Sequence, residues 1–536
     1  MKAAYIIVGS GPAGSAVAAR LSENPENTVL LLEAGDENNN ELGRAQGTFG
    51  ALWGTDANWN YQSVPQTHMN NRVVLVPRGK TIGGSSAINI GFWARGAEGD
   101  YDGWGELGLD GWNFASALEI FRRVENTDRG VTDPEFRGVS GNVVMETAET
   151  TSIIADKLLD AFVEVGLGPI ADTNGATPYA TSRVQTIHKD KYRHTIGDDY
   201  LTAEVRRRPN MTLLTKAYAT KVNVETGRAV SVSFRHNGEE KIAEAEREII
   251  LCAGAINTPK LLMLSGIGPR DHLEDLGIPV VHDAPAVGSN LQDHLNVAVN
   301  VIAEAGVEGS AQAGSGPDDM TEWRFQRTGP ATYLEGNGIG FFKLSEDANK
   351  PEFEIIPAYN PVLNDPQGEP YFNLEPGDRR SGYSINMVLL HPKSQGVLQL
   401  ASADPKDNPV IDFNYFGDAD DMDMVVNGFR EVLKMTQTKA LDPYTSQVSP
   451  SIDTSDEELK AFVLDNAGSV FHPVGTAKMG KDDDPSAAVD QRLRFKGIIG
   501  LRVADASVFP TLISGHTMAP TIYVGEQAAK FILRGE

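Results

Sequence analysis

The stretch Ala3-Ala4-Tyr5-Ile6-Ile7-Val8-Gly9-Ser10-Gly11-Pro12-Ala13-Gly14 decides the fold. Residues Ala3–Val8 are apolar without interruption, the pattern of a short strand buried on both faces in a parallel sheet. The glycine turn comes next, then a small-residue helical stretch, Ser15–Leu21. A second apolar run, Thr28–Leu32, ends in Glu33-Ala34-Gly35. Strand, glycine turn, helix, strand and acid form one βαβ unit.

Each glycine of the turn has a physical task. Gly9 allows the tight bend after the strand, Gly11 lets the backbone approach a pyrophosphate, and Gly14 lets helix and strand pack closely. The helix N-terminus offers unpaired N–H groups and a partial positive charge to phosphates. Glu33 stands 19 positions after Gly14, at a strand end, where a carboxylate accepts from the ribose hydroxyls of adenosine and repels a 2′-phosphate. These features point to dinucleotide binding, with NADP disfavoured; the turn alone does not separate FAD from NAD.

Further along, helical text covers Phe114–Val124, Thr258–Leu264, about Met422–Gln437 and Thr521–Leu533. Leu213–Arg235 alternates apolar and polar residues and reads as antiparallel strands, while Glu246–Leu251, Ser384–Leu390, Gly396–Ala401 and Leu501–Ala504 read as further strands. No repeat or linker separates independent domains. The expected fold is α/β: a Rossmann-like domain, discontinuous in sequence, with an antiparallel-sheet α+β substrate domain inserted into it. The expected boundaries are 1–155, 207–300 and 455–536 for the nucleotide domain and 156–206 and 301–454 for the substrate domain.

Composition narrows the function. The 536 residues are 40% hydrophobic and 22% charged, a globular balance. A net charge of -26 repels phosphate backbones, so nucleic acid is not an expected partner. The single cysteine, Cys252, excludes an intramolecular disulfide and a cysteine-rich metal site, and its apolar neighbours Ile249–Ala253 read as a buried strand. No metal site is expected. The N-terminus lacks the regions of a signal peptide and no apolar run spans a bilayer, so a cytoplasmic protein, monomeric or homodimeric, is expected.

Five longer blocks carry a family resemblance. Gly79-Lys80-Thr81-Ile82-Gly83-Gly84-Ser85-Ser86-Ala87-Ile88-Asn89 resembles the first signature of the glucose–methanol–choline (GMC) oxidoreductases. Gly254-Ala255-Ile256-Asn257-Thr258-Pro259 through Ser265-Gly266-Ile267-Gly268 resembles the second. Gly288–His294, Phe471–Thr476 and Arg502–Ser507 are similar to later family blocks, in register from Gly9 to Glu526. This resemblance implies FAD. It places the cofactor against Gly9, Ser10, Gly11, Pro12, Ala13 and Gly14, and against Glu33 and Ala34 at the adenosine end. It also implies cofactor contacts from Trp59, Gly79, Gly83, Gly84, Ser86 and Asn89, from Val222, and from Asp505, Ala506, Thr517 and Met518. Some members link FAD covalently through a histidine where this chain has Ile88; an alkyl group forms no such link, so non-covalent FAD is expected.

The resemblance also implies the chemistry: oxidation of an alcohol to a carbonyl by hydride transfer to flavin N5, with reoxidation by O2 or another acceptor. The hydroxyl proton must leave, and a neutral imidazole near pH 7 is a natural acceptor. The family's base falls on His472 and its second catalytic residue on His516. Pro520 is expected to open the last helix, whose N-terminus points at the flavin in the family. Trp93 and Phe471 are the expected substrate-pocket residues, with Phe92, Tyr333, Phe341 and Tyr359 as weaker wall candidates, and Asp293 and His294 read as a structural polar pair. No acidic pair or aromatic box marks a quaternary-ammonium site. Two rivals share the fold: a hydroxynitrile lyase that keeps FAD without redox use, and a flavin photodecarboxylase, which would need an apolar tunnel and a cysteine beside the flavin.

Overall fold

The structure is a computed structural model that describes residues 1–128, 133–148, 152–303, 317–328, 330–332, 336–358, 366, 371–372 and 382–536. Lys2–Val8 forms the first strand (β1), Pro12–Leu21 the first helix (α1) and Val29–Leu32 the second strand (β2). β1 pairs in parallel with β2 on one side and with Glu239–Leu251 on the other. Met211–Leu214 extends the parallel sheet beyond β2, and Leu501–Val503 pairs in parallel with Ile249–Leu251. Ile6, Ile7, Ile249, Ile250 and Leu251 are wholly buried, so both faces of this core are covered and continuous apolar text is what the strands require.

Three expectations change in detail. Met211–Leu214 is a parallel strand, and the antiparallel pairing begins after it: Ala217–Glu225 and Arg228–His236 form a hairpin on the first half of Glu239–Leu251. The last helix is Met518–Arg534, with Thr517 just before it, so Pro520 occupies its third position and does not open it. Proline is still accommodated there, because the first-turn N–H groups have no intrahelical acceptor. Cys252 is buried as expected but lies one residue past the strand's end.

The second layer is an antiparallel sheet in the spatial order Gln447–Ser449, Leu295–Ile302, Gly382–Leu389, Phe353–Ala358, Gly338–Phe342, Thr181–Arg183. Gly468–Ser469 also pairs with the start of Leu295–Ile302, which brings the chain directly into the His472 segment. Among the described residues no helix is long and apolar enough to cross a membrane.

The glycine turn is filled as closely as its sequence demands. Gly9 has φ +101, and a Cβ on Gly14 would overlap the Gly9 carbonyl, whereas a Cβ on Gly11 would meet nothing within 4 Å. Gly14→Ala is therefore expected to cost about 1–3 kcal/mol of stability as an overpacked contact. Gly11→Ala is expected to stay within about 0.5 kcal/mol of wild type when both are freed of FAD, because its Cβ meets no protein neighbour. Urea denaturation of the two variants checks the contrast.

Candidate active site

A cavity of about 410 Å³ lies at the carboxyl ends of the parallel strands, where open α/β sheets bind their ligands. Gly9, Ser10, Gly11, Pro12 and Ala13 line it with Glu33 and Ala34, and Cys252–Gly254, Asp505 and Ala506 enter from the neighbouring strand ends. α1 starts at Pro12 with no side chain capping its N-terminus. Its orphan N–H groups thus open beside the unobstructed Cα of Gly11, a seat for an anion.

Two buried carboxylates brace this end. Glu33 Oε2 accepts from Ser10 N–H at 3.0 Å and Ser10 Oγ–H at 2.6 Å, and its Oε1 accepts from Gly35 N–H at 2.7 Å. Burial pushes its carboxyl up, and the Ser10 and Gly35 hydrogen bonds oppose that. Asp505 accepts from Gly254 N–H at 2.9 Å, Thr258 Oγ1–H at 2.6 Å and Ser507 N–H at 2.8 Å. It thereby pins the Gly254–Leu264 helix to the C-terminal strand.

The Gly79–Asn89 loop supplies the middle of the cavity through Gly79, Gly84, Ser85, Ser86, Ile88 and Asn89. A residue that the sequence pattern does not mark holds it. Arg193 is buried, and its guanidinium donates to the carbonyls of Gly43, Ser86, Ala87 and Asn89 and to Asn89 Oδ1. Burial, with Arg44 nearby, pushes this cation down to about 10. Asn89 Nδ2 contacts Met518 Sδ at 3.4 Å, tying the loop to the start of the last helix, where Thr517, Met518 and Thr521 line the cavity. Trp59, stacked on Tyr61 at 5.8 Å, lines the adenosine end with Ala217, Tyr218 and Ala219.

Four expected site residues do not line the cavity. Gly14 packs behind the turn, and Gly83, at φ +91, donates its N–H to the Ser10 carbonyl at 3.0 Å. Val222 lies past a bulge between Ala219 and Lys221, wholly buried, its N–H on Ser265 Oγ. Trp93 is the clearest correction: its indole N–H donates to the buried Glu125 carboxylate at 2.7 Å, so the ring is committed to the core, and Phe92 reaches the cavity in its place. Phe471 lines the cavity, Phe341 is core, and Tyr333 and Tyr359 lie outside the described residues.

His472 and His516 meet on the cavity wall with ring centroids 4.8 Å apart. His472 comes directly after Phe471, whose φ of +67 is a strained conformation for a bulky side chain. The strain is held from several sides. Asp293 accepts from the His472 N–H at 2.6 Å and from the hydroxyls of Ser469 and Tyr415, Ser469 Oγ accepts from the Phe471 N–H at 2.7 Å, and Arg78 donates to the Phe471 carbonyl. Burial pushes Asp293 up to about 6 against the pull of those hydroxyls and Arg78. The expected structural pair is thus the mount of His472. His294, its other half, has Nδ1 2.9 Å from His472 Nδ1. His516 donates from Nε2 to Glu354 Oε1 at 3.0 Å. Glu354 reaches this point from the Phe353–Ala358 strand of the antiparallel sheet, wholly buried, and no local sequence pattern marks it.

Family models for GMC oxidoreductases match residues 3–296 with an N-terminal domain and residues 392–525 with a C-terminal domain. The chain belongs to the GMC oxidoreductase family. It is similar to an oxygen-dependent choline dehydrogenase of Sinorhizobium fredii, at 35% identity over 99% of this chain and 96% of that one. It is equally similar, at 35%, to an alcohol dehydrogenase [acceptor] of Pseudomonas putida, over 99% and 95%. Among solved structures it superposes on formate oxidase of Aspergillus oryzae, studied for its FAD modification, with a TM-score of 0.89 and 25% identity over 100% and 98% of the two chains.

The residues of this GMC chain fit FAD. The open α1 N-terminus, bare Gly11 and the side-chain-free Gly84 packed against it suit a pyrophosphate, Trp59 and Tyr218 suit the adenine, and the apolar wall of Ile90 and Phe92 suits a flat ring. Asp293→Ala is expected to lower stability by about 3–5 kcal/mol, since it strips Arg78 of its buried counter-charge and leaves three donors unpaired. Chemical denaturation reads the loss; a change under about 1 kcal/mol would contradict the role of Asp293 as the mount.

Proposed function

We propose that the protein oxidises an alcohol to a carbonyl compound with non-covalent FAD. The observation that carries this reading is the His472–His516 pair on the wall of a cavity whose other end is the dinucleotide turn. When bound, FAD supplies the hydride acceptor; the chain supplies position and proton transfer. The cavity wall holds the carbinol carbon toward the Gly84–Asn89 loop and its oxygen between the two imidazoles. His472 takes the hydroxyl proton as the C–H bond breaks. Burial, with His516, His294 and Arg78 close by, holds His472 well below the usual histidine range, so it is neutral and ready to accept at pH 7. His516, anchored on Glu354, flanks His472 on the wall beside the substrate oxygen. The electrons leave to O2, forming H2O2, or to another acceptor.

The histidine end of the cavity is walled by Ile90, Phe92, Ile356, Val470 and Phe471, with Asn296 and Ser469 as polar points. The carboxylates that line the cavity among the described residues, Glu33 and Asp505, stand at the nucleotide end. Glu354 and Asp293 stand behind the wall, bonded to His516 and to the His472 N–H, so among the described residues a cationic alcohol meets no carboxylate on the wall beside the reacting oxygen. These features support a neutral alcohol with an apolar or aromatic body over choline.

Anaerobic mixing with a benzylic alcohol is expected to bleach the flavin faster than mixing with choline, and admission of air then separates oxidase from dehydrogenase by the speed of colour return and by peroxide. No bleaching by any alcohol, with cleavage of mandelonitrile, would overturn the reading in favour of the lyase. His472→Ala is expected to keep FAD and slow flavin reduction by about 100-fold or more, the usual share of a positioned base. A base whose neutral form is favoured by the fold protonates only at lower pH, so the acid limb of the reduction rate is expected below 6.5, reporting the coupled pair. Acid precipitation is expected to leave the yellow colour in the supernatant, because Ile88 offers no linking atom.

A further inference from the structure

We propose that His294 is a positioning residue that fixes the tautomer of the base, keeping the hydrogen of His472 on Nδ1 and its lone pair on Nε2. The inference rests on the reading of His472 as the base. It is drawn from who can donate to whom. His294 Nε2 lies 3.0 Å from the carbonyl oxygen of Leu390, and a carbonyl only accepts, so Nε2 carries the hydrogen of His294. His294 is wholly buried. Burial, with His391 and His516 nearby, pushes it down to about 3, so the ring is neutral and its Nδ1 is a bare acceptor. That atom is 2.9 Å from His472 Nδ1. Two lone pairs do not sit at that distance, so His472 donates from Nδ1, and its basic lone pair is left on Nε2.

The rings stand nearly perpendicular, 83° apart with centroids at 5.1 Å, which lets one edge address the other. The neighbouring polar groups have other engagements. The Asp293 carboxylate is occupied by the His472 backbone N–H, Ser469 and Tyr415, and Arg78 is turned to the Phe471 carbonyl. His516, facing His472 from the last loop, is held by Glu354. His391 and Lys350 gather on Asp100. An imidazole in this place does what a buried carboxylate does behind other catalytic histidines, without adding a charge that would make His472 more basic.

Tautomer control leaves a signature that a packing role does not. A wrongly protonated neutral ring is not corrected by raising the pH, since no proton is titrated away. His294→Leu is expected to keep FAD and substrate affinity and to slow flavin reduction by about 10- to 100-fold at every pH, part of the cost of losing the base outright. His294→Gln is expected to restore most of the rate, because its amide accepts from His472 Nδ1 and donates to Leu390. In the His472→Ala background, His294→Leu is expected to add nothing, as two residues acting through one step do not cost twice. A wild-type rate for His294→Leu, recovery at high pH, or a full additional loss in the His472→Ala background would each overturn the proposal. If His472→Ala itself leaves reduction fast, the base assignment fails first and separately. Nitrogen-15 spectra of histidine-labelled wild-type protein test the same point without any variant: a hydrogen-bearing Nδ1 and bare Nε2 on His472 are expected, and the reverse overturns the inference.

Discussion

Asp293 accepts from the hydroxyls of Ser469 and Tyr415 and from the His472 amide, and the catalytic end of the molecule hangs from that buried carboxylate. His472 needs a backbone that turns sharply enough to aim an imidazole into the cavity, and the turn it sits on forces Phe471 to a φ of +67. Such a conformation costs about 1–3 kcal/mol and persists only where surroundings over-determine it. Here the surroundings come from three distant segments, Arg78 beside the flavin-signature loop, Asp293 and His294 at the start of one strand and Tyr415 farther along the chain, together with Ser469 just before the turn. The placing of His472 is thus a property of the junction between the two sheets, not of the Phe-His-Pro block alone.

The same junction explains why the two layers are interleaved in the chain. The dinucleotide end is assembled from strand ends whose residues lie at positions 8–13, 32–34, 252–254 and 505–506. The antiparallel sheet delivers Glu354 and Leu390 to the back of the histidines. Buried carboxylates brace both ends: Glu33 and Asp505 hold the parts of the nucleotide layer, and Asp293 ties Tyr415 and Ser469 to the His472 turn.

Local signals carried most of the fold. The βαβ unit, the Phe114–Val124 helix and the buried strand ending at Leu251 are written in periodicity and glycine placement, which neighbours a few residues away decide. Long-range partners are not written there. Trp93 adjoins a signature block, which points it to the pocket, yet its N–H needs an acceptor and finds Glu125, so the ring turns into the core. Val222 misses the cavity because a bulge after Ala219 shifts which strand residues meet it. His472 and His516 are legible through their flanking blocks. Glu354, 162 residues from its partner His516, is not, since only strand register brings the two together. Arg193 escapes for a related reason: apart from Asn89 Oδ1, its partners are backbone carbonyls, which leave no trace in side-chain composition.

The most direct test of alcohol oxidation by this site is the deuterium isotope effect on anaerobic flavin bleaching, with deuterium at the carbinol carbon of a benzylic alcohol. Bleaching is expected to be clearly slower with the deuterated alcohol, because the C–H bond breaks in the step that His472 assists. Bleaching at one rate for both alcohols would separate reduction from that step, and a flavin that no alcohol bleaches would contradict the claim that this histidine pair serves alcohol oxidation.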